Sequence, residues 1–315
     1  MAFQGRPHKR QPVVGVLSAG DMGHAVGQVA RDLGCRVVTC LVNRSERTRA
    51  LAAVAGLEDG GDLATVVEVA DVVLSILPPA EALGLARCVA SCPVSARGRL
   101  FVDCNAVAPA TIQDIGRIVG AAGFTFVDAG IIGPPPHRPP ATRLYVSGRE
   151  AGRLLFLEDP RLTVCDLGTA LGHASALKMC YAALTKGSWA LYAALTTAAY
   201  RLGVADTLDR EFAMSQAVVR ERQLAMLPRL PLDARRWIGE MEEIAATFEA
   251  AGLPDGFHRA AAEIFNLLDH TPFAAESRQY WDRSRTPEQT VAAVSTVIDH
   301  LGKNHDQVHR RASED

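Results

Sequence analysis

Up to about residue 165, short apolar runs take turns with helix-length segments, and after residue 168 the short runs stop. This change constrains the fold more than any other feature of the chain. The strand candidates are Val13–Leu17, Arg36–Val42, Val72–Ile76, Leu100–Asp103, Thr125–Ala129 and Arg143–Ser147. Helical patterns lie between several of them, over Gly23–Leu33, Ser45–Ala55, Ala80–Ala90 and Ala110–Ala121. Strands alternating with helices predict βαβ units and a parallel sheet. The last two strands flank the Pro-rich stretch Gly133–Pro140, which predicts an irregular loop. Behind the sheet, patterns over Gly172–Leu202, Ala205–Leu224, Leu232–Ala251, Gly256–Asp269 and Pro287–Leu301 predict an all-α second half, with the boundary near 163–170.

With 315 residues, 48% of them hydrophobic and 22% charged, the chain can bury a large core and fill two domains. A net charge of −2 gives no reason to expect a nucleic-acid or membrane partner. Seven scattered cysteines without a CxxC pair read as reduced, mostly buried thiols of a cytosolic protein. No His/Cys/Asp cluster has metal-ligand spacing, so no metal is expected. The basic opening MAFQGRPHKRQP lacks an apolar h-region and predicts a short disordered tail over 1–11; the polar end, 303–315, predicts a frayed one. The Ala-rich stretch 179–199 comes nearest to a membrane span, but Lys186 lies inside it.

The first strand feeds directly into Ser18-Ala19-Gly20-Asp21-Met22-Gly23, a GxGxxG turn whose first glycine is replaced by Ser18. In such a turn one glycine lets the backbone approach a pyrophosphate and another lets the helix pack on the strand, while helix N–H groups face the phosphates. The second strand ends in Asn43-Arg44-Ser45, and Asn43 stands 20 residues after Gly23, where an NAD site usually has a carboxylate for the ribose 2′-hydroxyl. A guanidinium and a hydroxyl suit a 2′-phosphate instead, so NADP is expected over NAD. The bland alternative is a surface Arg44 opening a helix capped by Asn43. The third strand runs into Leu77-Pro78-Pro79 at the ligand-binding edge of the sheet, and the fourth into Asp103-Cys104-Asn105. Asn105 can bind a cofactor carboxamide or a substrate oxygen, or it can cap the helix that follows. The fold class expected is an α/β Rossmann domain over 12–166, followed by an all-α domain over 167–302.

Read in order, Ser18–Gly23, Asn43–Ser45, Asp103–Pro109, Asp128–Pro134 and Gly172–Ala182 resemble the motifs of the β-hydroxyacid dehydrogenases, relatives of 6-phosphogluconate dehydrogenase. The resemblance covers about the first 185 residues. Ser175–Tyr181, Thr185-Lys186-Gly187 and Trp237–Ile244 look like a subgroup with a distinctive C-terminal helical domain. The resemblance implies a cofactor site at Ser18, Ala19, Gly20, Asp21, Met22, Gly23, Asn43, Arg44, Ser45, Leu77, Pro78 and Asn105. It implies a substrate site at Asn105, Gly130, Ile132, Gly133, Tyr181 and Lys186, and catalysis by Lys178 on the helix joining the two domains. The chain departs from the pattern in several places. Asn105 replaces a serine, Asp128–Pro134 lacks the Ser-Gly-Gly that grips a substrate carboxylate, Tyr181 and Ala182 replace paired asparagines, and Gly239-Glu240 stands where Lys-Asp is common. The lysine is kept while the substrate grip is rebuilt.

Helical spacing puts Ser175, Lys178 and Ala182 on one face. Hydride transfer from an alcohol needs a group to take the hydroxyl proton, and a lysine desolvated among Ala174, Ala176, Leu177 and Met179 can do so near neutral pH. The alternative is a surface lysine on an amphipathic helix. Lys186 can bind an anionic substrate group or meet a partner carboxylate. Tyr181 reads as lining the pocket, His173 as a hydrogen-bonding neighbour, and Arg138 or Arg143 as a pair for a substrate anion. The long Ala-rich helix is apolar nearly all round, so it must be buried, in a homodimer or within one chain. The function expected is an NADP-dependent oxidoreductase interconverting an alcohol and a carbonyl on a small acidic substrate. Imine reduction, or a catalytically silent NADP-binding sensor or scaffold, is the alternative.

Overall fold

In a computed structural model, residues 11–139 and 142–312 are described, side chains only as far as 301. The opening tail expected over 1–11 thus lies almost wholly outside the described residues. The chain forms two compact units that divide after Met179.

The first unit is an eight-stranded sheet with helices on both faces. Its elements are β1 (Val13–Leu17), α1 (Asp21–Asp32), β2 (Arg36–Thr39), α2 (Glu46–Val54), β3 (Glu58–Asp59), α3 (Leu63–Val69), β4 (Val72–Ser75), α4 (Pro79–Ala90), β5 (Leu100–Asp103), α5 (Pro109–Ala121), β6 (Thr125–Ile132), β7 (Thr142–Ser147) and β8 (Leu162–Asp166), with a 3₁₀ helix at Ala151–Leu157. The strand order is β3-β2-β1-β4-β5-β6-β7-β8. Central strands such as β1 and β4 are buried on both faces, which is why they read as unbroken Val/Leu runs instead of alternating ones. One core joins the sheet to α1 and to the 3₁₀ helix through Val16, Val26, Val29, Leu154 and Leu157. The other joins it to α3, α4 and α5 through Val66, Ala86, Phe101, Ile112 and Ile115.

One pairing departs from the expected parallel sheet. β6 and β7 run antiparallel: only nine residues separate them, too few for the crossover that a parallel pair would need. β7 also supplies partners for Gly130, Ile131 and Ile132, so β6 runs three residues past its expected end at Ala129. β2 stops early, at Thr39 instead of Val42, since its edge neighbour β3 offers only Glu58 and Asp59 to pair with.

The second unit holds most of α6 (His173–Arg201) and all of α7 (Ala205–Ser215), α8 (Ala217–Met226), α9 (Ala234–Ala250), α10 (Gly256–Asp269) and α11 (Pro287–Ala312). The pattern expected as one helix over 205–224 is two, and α11 continues through most of the tail expected to fray. α9 and α10 pack around Trp237, Met241, Ile244, Phe265 and Leu268, and Trp189 of α6 lies 4.9 Å from Trp237, ring centre to ring centre.

Within one chain α6 is not covered all round: Ala182, Ala183, Ala190 and Ala193 are buried, but Leu184 is 73% exposed and Leu191 52%. One expectation about burial needs correcting. All seven cysteines are free thiols, yet only Cys35 and Cys104 are buried, while Cys88 and Cys180 are exposed. Among the described residues, no helix is long and apolar enough to cross a membrane, and no group of three or more His, Cys, Asp or Glu is arranged to hold a metal.

Candidate functional site

β1 has β2 on one side and β4 on the other, so the strand order reverses at its C-terminal end. Ligands of open α/β sheets bind in the crevice at such a point. Ser18–Gly23 leave β1 here, Leu77-Pro78 leave β4, and the Ser18 N–H donates to the Ile76 carbonyl at 3.3 Å. Gly23 has no alternative, because a Cβ would stand 1.9 Å from the Ser18 carbonyl oxygen. Around Gly20 the reverse holds: nothing lies within 4 Å of a Cβ built there, and Gly20, as the N-cap of α1, brings no side chain over the first turn. Open space at the positive end of a helix fits a pyrophosphate.

Asp21 lies in that first turn, where a bare carboxylate would oppose phosphate. Arg47 of α2 pairs with it, a contact between residues 26 apart that nothing local announced. His24 was also missed in the sequence. Its Nδ1 lies 2.7 Å from the Gly20 carbonyl oxygen and its ring 5.5 Å from that of His137, so the Pro-rich loop rests against the start of α1.

Four residues beyond the end of β2, Asn43 takes a left-handed conformation, φ 57°, which asparagine tolerates better than most residues. It does not cap α2. That role falls to Ser45, which accepts from the Thr48 N–H at 3.3 Å. Arg44 stands between the two, partly buried, with its carbonyl held by Arg49 Nε at 3.2 Å. Among the described residues, no hydrogen bond or ion pair engages its guanidinium.

Asn105 does not cap α5 either, since α5 begins at Pro109 behind Ala108. Its Oδ1 accepts from the Leu77 N–H at 2.7 Å, and its Nδ2 donates to Ser75 Oγ and to Asp103 Oδ2, each at 2.8 Å. Both amide hydrogens are therefore spent on tying β4 to β5. Asp103 also accepts from the Asn105 N–H at 3.0 Å. In the register of β5 and β6 it stands directly beside Asp128, and both carboxyls are fully buried. Burial pushes Asp103 up to about 7 against the pull of its Asn105 hydrogen bonds, and the Asp128 charge raises it further. Asp128 is raised by burial too, opposed by donors from Ser175, Ser147 and Ala174.

Lys178 lies on the second turn of α6, partly buried, and its Nζ donates to the Ile131 carbonyl at 2.8 Å. The ammonium is thereby held at the C-terminal end of β6, at the same edge of the sheet as the glycine turn. Gly130 and Ile132, expected in a substrate-gripping turn, are strand residues; Gly133, at φ 126°, begins the turn. Ile132 is buried. Tyr181 is half exposed, and His173, Arg138 and Arg143 are exposed. Lys186 takes the second of its two readings: within the helical unit its Nζ meets Glu240 Oε1 at 2.7 Å, so its charge is already matched by a buried carboxylate. In the sequence Glu240 stood out only as a departure from the resemblance, and Trp237 only as part of the stretch Trp237–Ile244 that carries it.

Residues 13–152 match the family described as the NAD binding domain of 6-phosphogluconate dehydrogenase, and residues 199–268 match a domain of unknown function, DUF1932. An uncharacterised 28.5 kDa protein of Methanothermus fervidus is 29% identical over 62% of this chain and 74% of its own length. A solved conserved protein, described as similar to 3-hydroxyacid dehydrogenases, is 29% identical over 81% of this chain and 96% of its own, with a TM-score of 0.59. A 3-hydroxyisobutyrate dehydrogenase of Mycobacterium tuberculosis shares the fold at 18% identity, over 91% of this chain and 99% of its own, with a TM-score of 0.62. An Aspergillus terreus reductive aminase shares it at 16% identity and a TM-score of 0.52, over 92% and 99% of the two chains.

Because the folded chain holds the Asp103 proton more tightly than an unfolded aspartate does, the folded state binds more protons between about pH 4 and pH 7. Stability is therefore lost as pH rises across that window. Asp103→Asn removes this titration. Unfolding free energies of the native chain should fall relative to the variant by on the order of 1–4 kcal/mol from pH 4 to pH 8. Parallel curves would assign the buried titration elsewhere.

Proposed function

We propose that this chain, whose residues 13–152 match the NAD binding domain of 6-phosphogluconate dehydrogenase, is an NADP-dependent enzyme that interconverts an alcohol and a carbonyl on a small acidic molecule. The nicotinamide, when bound, supplies or accepts the hydride. Lys178 takes the hydroxyl proton in oxidation and returns it in reduction. The observation that carries this reading is the 2.8 Å bond from Lys178 Nζ to the Ile131 carbonyl, which fixes a proton-carrying group at the ligand-binding edge of the sheet. Gly130, Ile132 and Gly133 remain the residues of the first unit proposed to shape the substrate pocket. The glycine N-cap of α1 and the open space over it support a pyrophosphate there. Arg44 and Ser45, with no carboxylate at position 43, support NADP over NAD.

The substrate is sought by following NADPH oxidation over panels of aldehydes, ketones, keto acids and imines. With the best carbonyl substrate, Lys178→Met should lower kcat/KM by about 10²–10⁴-fold. Undiminished activity would remove the lysine from the chemistry, turnover of imines alone would make this a C=N reductase, and tight NADPH binding without any turnover would mark a nucleotide sensor. Arg44→Asp should cut the ratio of NADP to NAD efficiency by about tenfold or more, as loss of a charge-assisted contact predicts. An unchanged ratio would mean that Arg44 does not read the 2′-phosphate.

The protein is also proposed to work as a homodimer. Leu184, Leu191 and Leu202 are exposed at helical spacing on α6 and at its end, a stripe that a second copy would cover. Light scattering at micromolar concentration should return twice the chain mass, and Leu191→Glu should return it to one. A single-chain mass for the native protein would dismiss the dimer.

A further inference from the structure

We infer that Asp128 is the positioning residue for Lys178: its carboxylate fastens the first turn of α6 to β6 and so determines where the lysine ammonium stands. This inference rests on the reading of Lys178 as the proton carrier.

Asp128 is fully buried, and every contact shown for its carboxylate leads toward the start of α6. Ser175 Oγ donates to Oδ1 at 2.6 Å, and the Ser175 N–H donates to Oδ2 at 3.0 Å. Ser147 Oγ, opposite Asp128 on β7, donates to Oδ2 at 2.9 Å and itself accepts the Ala174 N–H at 3.1 Å. One carboxylate thus satisfies, directly or through one serine, two of the N–H groups that a helix leaves unpaired at its start. Its negative charge also faces the positive end of a 29-residue helix.

The attachment continues along β6. Two residues on, a side chain at Gly130 would bring a Cβ within 2.8 Å of the Ala174 carbonyl oxygen and 3.0 Å of Lys178 Cβ. The strand therefore comes closer to the helix than any other residue would permit. One residue further, the Ile131 carbonyl receives Lys178 Nζ. Ser175 and Lys178 are three apart on one helical face, so fixing the first fixes the Cα of the second. The stem of the lysine is then held at its root by the Asp128 clamp and at its tip by Ile131. An ammonium on a four-carbon stem is otherwise free to wander, and misplacement by about 1 Å can cost a hundredfold in rate.

The test exploits the sparse lysines of this chain: Lys9, Lys178, Lys186 and Lys303 are all it has. Competitive labelling with a limiting amine-reactive anhydride, read peptide by peptide by mass spectrometry, gives the Lys178 rate with Lys186 as internal standard and needs no substrate. An asparagine keeps one acceptor oxygen and loses the other. In the full-length chain, Asp128→Asn should raise the Lys178 to Lys186 labelling ratio about threefold or more as the clamp slackens, while NADPH affinity stays within about twofold. With a substrate in hand, kcat should fall about ten- to a hundredfold and KM should change little. Should Asp128→Asn fail to fold, Ser175→Ala removes only the Oγ bond and should shift the ratio in the same direction by less. An unchanged labelling ratio in either folded variant overturns the clamp. A shifted ratio beside a fully active Lys178→Met enzyme upholds the clamp and overturns the catalytic reading of the lysine.

Discussion

A carboxylate removed from water persists in a protein only where donors replace that water, and Asp128 meets this condition with the start of a helix. Its neighbour across the ladder, Asp103, meets it in the opposite direction, through Asn105 and the end of β4. The two buried acids therefore hold two segments at the C-terminal edge of the sheet, the one that follows β4 and the start of α6. On one side the chain of bonds runs from Asp103 through Asn105 to the Leu77 backbone. On the other it runs from Asp128 through Ser175 to the turn that carries Lys178. Polar networks of this kind are costly when half satisfied, and fully satisfied they hold a single arrangement. That property suits the proton-carrying role proposed for Lys178.

The nucleotide side of the first unit answers to a different constraint, the management of charge around a helix start. Gly20 leaves room over the start of α1 and Gly23 permits contact between helix and strand. Asp21 would weaken such a site were it not paired with Arg47. Arg44 and Ser45 stand one turn earlier in the chain, with the serine spent partly on capping α2. A cap of this type is worth about 1 kcal/mol, enough to define where α2 begins and therefore where Arg44 stands before it.

Much of this was legible in the residue order. β1, β5 and α10 begin and end where the apolar patterns place them, since burial on both faces of a sheet, or along one stripe of a helix, leaves a periodic trace. β3, α3 and β8 left weaker traces: a two-residue edge strand, a seven-residue helix and a strand bordered by polar turns offer too few positions for a period to stand out. Gln216 interrupts what looked like one helix without proline or glycine to signal it. At the site, the glycine turn and Lys178 could be singled out because each belongs to a local motif. The partners of Asn105 and Lys186 could not, since Ser75 lies 30 residues from the first and Glu240 lies on another helix from the second.

The residue order by itself therefore determined the alternation of strand and helix, the glycine-bearing turn that opens α1, and the absence of a carboxylate at the end of β2. Each is a demand made by neighbouring residues on their own backbone, so each is written locally. Only the tertiary structure decided that β7 turns back against β6, that Asn105 faces inward, that Lys186 is matched by Glu240, and that Asp128 holds the helix of Lys178. These depend on which distant donor meets which buried acceptor. Desolvation makes such pairings compulsory, but it does not say where along the chain the partner will be found.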